Sequence, residues 1–497
     1  MILDYLELHA HRQANTTFLG ETEESYSFGA FFELVTHLAA WLRNEGVRKG
    51  DRVVLYLSRH IYHLAAYLAT MTLGAIPVHL YSQRKPSFVA FAASHTSARL
   101  IITDSDSLDE MGLPCAVVNY PDNSVLDLDP VWPGERHEVA YMMFTSGTTG
   151  TPKAVITTQE NVDFVTRTLI GIANITVNDR EIIVMPLGST GGLGHFHANL
   201  ILGNPTIILP YFFGAMDDAD LHHMLDVIEA EGITGFLSTP GMLARLTDTH
   251  REAFREKGRN LRYILANVTP IRDMLVRDLI SLLPHTRFYT YYGLTEASRS
   301  VYHCFNDNPD KIATAGLPSS GVQISIDNPS AKGVGEVLIK GSNVMVGYWE
   351  MGDHGFSASG WFRTGDLGSL DTDGYLTICG RIKENIKVDG LECLPQDVET
   401  VLLAHPEVAD CAVVGLPDPK TYQCVAAAIV PAIGINREGL AQRLQTHCIG
   451  SLEFYKAPTV YAFFESIPRT DLGKIKRDDV IRQLEATPDR QLGGVLG

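Results

Sequence analysis

Along the N-terminal part of the chain, apolar residues alternate between two spacings. Phe31, Leu34, Leu38, Trp41 and Leu42 recur as one face of a helix, and Ser27 stands where it can cap the N-terminus. Residues 52–57 follow as a short apolar run that reads as a strand. The alternation continues with helix 61–73, strand 76–80, helix 88–93 and strand 100–103. Strands separated by helices predict a parallel sheet. Residues 104–138, rich in Asp, Pro and Asn, read as surface loop. The pattern then resumes with strand 141–144, helix 161–172, strands 182–185 and 206–209, helix 221–230 and strand 234–237. Helix 242–246, strand 263–265, helix 271–282 and strand 286–290 complete one large α/β body.

After residue 307 the texture changes. Runs at 322–326, 335–339 and 375–379 carry β-formers between Gly, Pro and Asp turns, which predicts a small barrel-like antiparallel subdomain. A further α+β domain is expected from 384, with helices near 398–403, 438–445 and 478–483 and strands at 411–414, 425–430 and 460–464. Its size allows independent folding.

Length agrees with this division, because 497 residues exceed the roughly 250–300 that one core supports. With 45% hydrophobic and 20% charged residues the chain reads as globular. Its formal charge of −18 and lack of a Lys/Arg stripe argue against nucleic acid as a partner. Seven cysteines with no CxxC pair indicate neither a disulfide framework nor a zinc site, which fits a reducing cytoplasm. Residues 1–15 lack a basic start and an apolar run, and 64–80 is broken by Thr70, Thr72, Pro77 and His79, so no signal peptide or membrane span is expected.

Candidate chemistry concentrates in five segments. At 141–155, YMMFTSGTTGTPKAV, a buried strand runs into small residues and hydroxyls. Ser146, Gly147, Thr148, Thr149 and Gly150 can turn backbone N–H groups and hydroxyls toward an anion, with Lys153 supplying positive charge. Its glycines are too closely spaced for a P-loop. At 289–299, YTYYGLTEASR, an aromatic for stacking on a base is followed by Thr295, able to touch a phosphate, and Glu296, able to hold magnesium. In WFRTGDL at 361–367, Asp366 sits in a glycine turn where a carboxylate can accept two ribose hydroxyls. GRIKENIKVDG at 380–390 is a basic run at the boundary with the last domain, and PRTDLGKIKR at 468–477 is a tight turn presenting Lys474. Each read alone is also an ordinary loop, turn or charged surface.

Their order and spacing together resemble the adenylate-forming enzymes: acyl- and aryl-CoA synthetases, stand-alone adenylation domains and luciferases. The likeness rests on TSGTTGTPK at 145–153, YGLTE at 292–296, TGD at 364–366, GRIK at 380–383 and PRTDLGK at 468–474, and it covers nearly the whole chain. It implies that a carboxylate attacks the α-phosphate of ATP, giving acyl-AMP and pyrophosphate, and that a thiol then displaces AMP. By the same resemblance Thr145, Ser146, Gly147, Thr148, Thr149, Gly150 and Lys153 hold the β/γ-phosphates, and Tyr292 and Gly293 lie by adenine. Thr295 contacts the α-phosphate, Glu296 binds Mg²⁺, and Asp366 with Arg381 binds the ribose. Lys474 bridges carboxylate and α-phosphate during adenylation. Lys383 becomes the hinge between an N-terminal domain, 1–382, and a mobile C-terminal domain, 383–497.

Departures from the family bear on substrate. Ala154 replaces the usual glycine, and ANVTPI at 266–271 replaces a Gly-Gly-Ala-Pro-like turn. In MPLGSTGGLGHFHANL at 185–200, small residues stand where many relatives carry an aromatic and a histidine. Gly188, Ser189, Gly192 and Gly293 are therefore expected to line the acyl pocket. His195 and His197 read as packed or water-bonded helix residues, since no third metal ligand lies nearby. No aspartate lies between Pro186 and Leu202, which weighs against an α-amino acid and favours an uncharged acyl or aryl chain. No phosphopantetheine-attachment segment is present, so the thiol is expected from outside: CoA, or a separate carrier protein. A non-catalytic nucleotide- or acyl-adenylate-binding module is the alternative of another class. Lys153, Glu296, Asp366 and Lys474 together argue against it.

Overall fold

The structure, a computed structural model, describes residues 2–21, 24–105, 108, 113, 115–121, 123–132, 137–145, 152–209, 216–266, 271–352, 354–418, 421–470, 473–487 and 491–492. Its contacts divide the chain into two compact units, Met1–Ile324 with Ile339–Phe362, and Ser325–Leu338 with Arg363–Gly497.

The first unit carries two large sheets. One has seven strands, in the order Gly347–Tyr348, Lys153–Thr158, Val139–Thr145, Ile76–His79, Arg52–Tyr56, Leu100–Thr103 and Ala116–Asn119. Its inner strands are parallel, as the strand-helix alternation predicts. Helix Phe28–Asn44 begins as expected, with the Ser27 hydroxyl accepting from Ala30 N at 3.2 Å. Helices His60–Thr72 and Pro86–His95 make the crossovers between these strands.

The other sheet has nine strands, in the order Leu317–Pro318, Ala297–Cys304, Arg287–Leu294, Tyr263–Ala266, Gly235–Ser238, Glu181–Ile183, Thr206–Ile208, Thr17–Glu21 and Glu24–Ser27. Its centre is parallel and its outer pairs antiparallel. Side-chain caps start the helices between them: Thr158 for Gln159–Ala173, Ser189 for Thr190–Leu202, Asp217 for Asp218–Ala230 and Thr239 for Pro240–Asp248.

Two expectations change here. The segment 104–138 is not all loop: Ala116–Asn119 is an edge strand parallel to Leu100–Thr103, and Asn123–Asp127 forms a 3-10 turn. Its side chains are half-exposed, so no buried apolar run marks it. The N-terminus also contributes a helix, Ile2–Arg12, whose Ile2, Leu3, Leu6 and Ala10 are buried.

The second unit contains a four-stranded sheet in the order Gln323–Asp327, Gly335–Lys340, Phe362–Leu370 and Leu376–Arg381. These are the β-rich runs anticipated after 307, with one further strand. A second sheet is built around the hairpin Val408–Asp418 and Tyr422–Pro431, with Val460–Phe463 parallel to the latter. Helices Pro395–Leu403, Leu440–Ser451 and Arg477–Ala486 belong to the same unit. Arg477 pins the last helix by donating to Glu384, to Glu399 and to the Val413 carbonyl.

Candidate active site

Strand Val139–Thr145 pairs antiparallel with Lys153–Thr158, a partner strand the apolar pattern did not reveal. Thr145 and Lys153 are cross-strand neighbours. Ser146, Gly147, Thr148, Thr149 and Gly150 lie outside the described residues. Thr145 Oγ1 is buried and finds no partner among the described residues, and Lys153 is buried as well.

Strand Gly347–Tyr348 adds to the other edge of Lys153–Thr158, setting Tyr348 opposite Val155. The Lys153 ammonium lies 4.9 Å from the centroid of the Tyr348 ring. The Tyr348 hydroxyl donates to Glu296 Oε1 at 2.9 Å. Burial, and then the Glu296 charge, push that hydroxyl's pKa well above its ordinary value, so it stays a donor. Lys153 and Glu296 are thereby joined through one aromatic ring, although they are far apart in sequence. Tyr348 carried no signal as a site residue, because an aromatic in the apolar run VMVGYW reads as core.

Glu296 occupies the turn between Arg287–Leu294 and Ala297–Cys304. Its carboxylate is nearly enclosed, at 9% exposure, and its carbonyl accepts from Met345 N at 2.8 Å. A register shift between Tyr292 and Leu294 brings the strands so close that a Cβ on Gly293 would lie 2.6 Å from Arg299 N. Gly293 is thus glycine for a backbone reason. Tyr292 is half-buried on the same strand, and Thr295 borders an interior cavity.

Among the described residues no group of three His, Cys, Asp or Glu could cage a metal. Glu296 alone is nevertheless a suitable donor for Mg²⁺, which takes one or two carboxylates and completes its shell with phosphate and water oxygens.

The expected acyl-pocket residues are distributed differently. Ser189 caps helix Thr190–Leu202, accepting from Gly192 N at 3.2 Å and donating to the Pro186 carbonyl at 2.6 Å. A Cβ on Gly192 would lie 2.6 Å from the carbonyl oxygens of Met185 and Pro186. Gly188 lines a pocket with His63, Leu80, Tyr81 and Met185, whereas Thr295 lines another with Tyr141, Gly194, His197 and Arg299. His195 and His197 are buried helix residues, as the sequence reads. The first pairs with Glu181 at 3.0 Å and the second with the Tyr67 hydroxyl at 3.0 Å.

In the second unit, Asp366 and Arg381 face each other across antiparallel strands, Arg381 Nε lying 2.8 Å from Asp366 Oδ1. The glycine turn expected at Asp366 is instead part of the strand Phe362–Leu370, within which Gly365 takes φ +69°, a backbone conformation that suits a residue without a side chain. Lys383 is an exposed residue of the 3-10 turn Ile382–Glu384. Lys474 is exposed beside a tight turn: Thr470 N donates to the Lys474 carbonyl at 2.7 Å, Lys474 N to Thr470 Oγ1 at 3.1 Å, and Gly473 has φ +83°.

Comparison with known proteins places these features in a lineage. The family profile described as AMP-binding enzyme matches residues 6–349, and that of its C-terminal domain matches 397–474. The chain belongs to the AMP-binding enzyme family. Within it, a feruloyl-CoA synthase from an Amycolatopsis species is 29% identical over 469 residues, spanning 90% of this chain and 92% of the relative. A solved o-succinylbenzoate CoA synthetase from Bacillus subtilis, in complex with an acyl-adenylate intermediate, superposes with a TM-score of 0.84 at 25% identity, covering 99% of both chains. The same synthetase with ATP and magnesium gives 0.82 at 25% identity, covering 97% of this chain and 99% of that one.

Proposed function

We propose that this AMP-binding enzyme is an AMP-forming acid–CoA ligase. The observation that carries the reading is the Lys153–Tyr348–Glu296 arrangement, in which one aromatic residue holds a buried cation at its ring and a nearly buried carboxylate at its hydroxyl. In the first half-reaction a carboxylate oxygen bonds to the α-phosphorus of ATP, and the bond to the bridging oxygen breaks with its electron pair, releasing pyrophosphate. In the second, the CoA sulfur bonds to the acyl carbon, the acyl–phosphate bond breaks, AMP leaves and the thiol proton is lost.

Negative charge accumulates while two anions are pressed together, so fixed positive charge and oriented donors lower the barrier. Lys153 and the hydroxyls of Thr145, Ser146, Thr148 and Thr149 hold the β/γ-phosphates. Thr295 donates to the α-phosphate, Tyr292 stacks on the adenine, and Asp366, oriented by Arg381, accepts the ribose hydroxyls. Lys474 brings a cation to the attacking carboxylate and α-phosphate. Glu296, held by Tyr348, would carry Mg²⁺, which supplies Lewis-acid neutralisation of the phosphate oxygens. Lys383 is the hinge about which the C-terminal domain, 383–497, turns between half-reactions, withdrawing Lys474.

Pyrophosphate release by the purified protein with ATP, magnesium and a panel of fatty, cyclic, aromatic and amino acids, each with and without CoA, tests the reading. Acid-dependent release accelerated by CoA is expected. Release indifferent to CoA would make a carrier protein the acceptor, and no release with any acid would leave a nucleotide-binding module.

A further inference from the structure

Arg299 is fully enclosed, at 1% exposure. Its Nη2 donates to the carbonyls of Thr190 at 3.2 Å and Gly191 at 3.4 Å, and its Nη1 to Ser298 Oγ at 3.4 Å. The Tyr291 ring lies 5.2 Å from Cζ. All these partners are neutral, the hydrogen bonds are long, and Nε has no partner among the described residues. No carboxylate pairs with it among the described residues.

A guanidinium cannot shed its proton, so burying one without a counter-ion is costly. The fold nevertheless makes room for it. A Cβ on Gly194 would lie 2.4–2.8 Å from the guanidinium atoms, so the glycine keeps helix Thr190–Leu202 open at that point. The Arg299 backbone is held at φ +52°, a left-handed conformation that a non-glycine residue keeps only when its surroundings impose it. The titratable side chains sharing this interior include Tyr141, His197 and Tyr302, none of which supplies an anion near neutral pH, besides the Tyr291 ring already described. Burial, and then the Arg299 charge, lower His197 to about 3.

The same guanidinium borders the cavity lined by Thr295, Thr190, Gly194, His197 and Asn343. Asn343 Oδ1 is also without a partner among the described residues. We propose that the acid activated by this protein carries a second anionic group, a carboxylate or sulfonate, which seats on Arg299 while the reacting carboxylate lies toward Thr295. The inference rests on the ligase reading and replaces the uncharged chain that the sequence favoured. A compact distal anion gives Arg299 the counter-ion that the described residues do not provide. An acid of the same skeleton without that anion leaves the charge buried and unpaired.

The test is pyrophosphate release on matched pairs: succinate against butyrate, phthalate against benzoate, and 3-sulfopropionate against butyrate. The wild-type protein should favour the dianionic member of at least one pair by about a hundredfold in kcat/KM. Arg299→Met should erase that preference, chiefly through KM, and Arg299→Lys should restore part of it. Gly194→Ala, which keeps the charge but displaces the guanidinium, should weaken the preference too. Wild-type release that favours the uncharged members would overturn the inference while leaving the ligase reading intact. Equal loss for both members in Arg299→Met, with a lowered Tm, would make Arg299 structural and overturn it as well. No release with any acid would bring down the ligase reading and this inference together.

Discussion

Tyr348 joins the two charges on which the ligase reading depends, and it was illegible in the sequence. Motif spacing pointed to Lys153, Glu296, Asp366 and Arg381, because each stands beside a glycine or a run of small residues that breaks the apolar pattern. The structure sets Asp366 against Arg381 and Glu296 within reach of Tyr348. Tyr348 was hidden because it lies in an apolar run, where a polar head group leaves no trace in the periodicity, and Arg299 because it follows the polar and small residues Glu296, Ala297 and Ser298, which read as surface. Tyr348→Phe removes one hydrogen bond to a carboxylate while keeping the ring near Lys153. Acid-dependent pyrophosphate release should therefore fall roughly tenfold at saturating ATP and recover in part at raised magnesium, with Tm little changed. An unchanged rate would detach Tyr348 from the work of Glu296.

At the scale of elements, most of the α/β alternation was readable where strands were both buried and apolar and helices carried one apolar stripe, while Lys153–Thr158, buried but with Lys and Thr at its ends, escaped. Strands with half-exposed side chains, such as Ala116–Asn119, escaped because they bury too little to show a pattern. Strand Ala297–Cys304 escaped for another reason: ASRSVYHC buries Ser298, Arg299, Ser300 and His303, so polar residues fill positions where apolar ones are expected. Helix Thr190–Leu202 was legible only through its two histidines. Its start depends on Gly192, whose missing side chain lets the first turn approach the Met185 and Pro186 carbonyls. Gly192→Ala forces a methyl against two backbone oxygens, a clash of about 1–3 kcal/mol, and should lower the unfolding midpoint by several degrees. A midpoint equal to that of the wild-type protein would mean that the turn relaxes without strain.

The whole molecule divides its candidate chemistry between two compact units. Lys153, Tyr348 and Glu296 belong to the first, and Asp366, Arg381, Lys383 and Lys474 to the second. The fold class was legible as a change from α/β alternation to β-rich turns and then to α+β, whereas the division at 382/383 stands as a proposal and motion about Lys383 comes from the resemblance alone. If Lys474 serves only the adenylating arrangement, Lys474→Ala should reduce acyl-AMP formation by about a hundredfold or more and spare thioester formation from supplied acyl-AMP. Equal losses in both half-reactions would refute that division of labour. Lys383→Pro restricts the backbone at the hinge and should impair one half-reaction more than the other.

The central claim is that the acid is activated as its adenylate. The direct measurement is a reaction of ATP, CoA and an accepted acid labelled with ¹⁸O in its carboxylate, followed by mass analysis of the phosphorus products. An adenylate route places one ¹⁸O in AMP and none in pyrophosphate, because the carboxylate oxygen stays on the α-phosphorus when the thiol takes the acyl group. Label in inorganic phosphate, with ADP as the nucleotide product, would mean an acyl-phosphate route and would contradict the account.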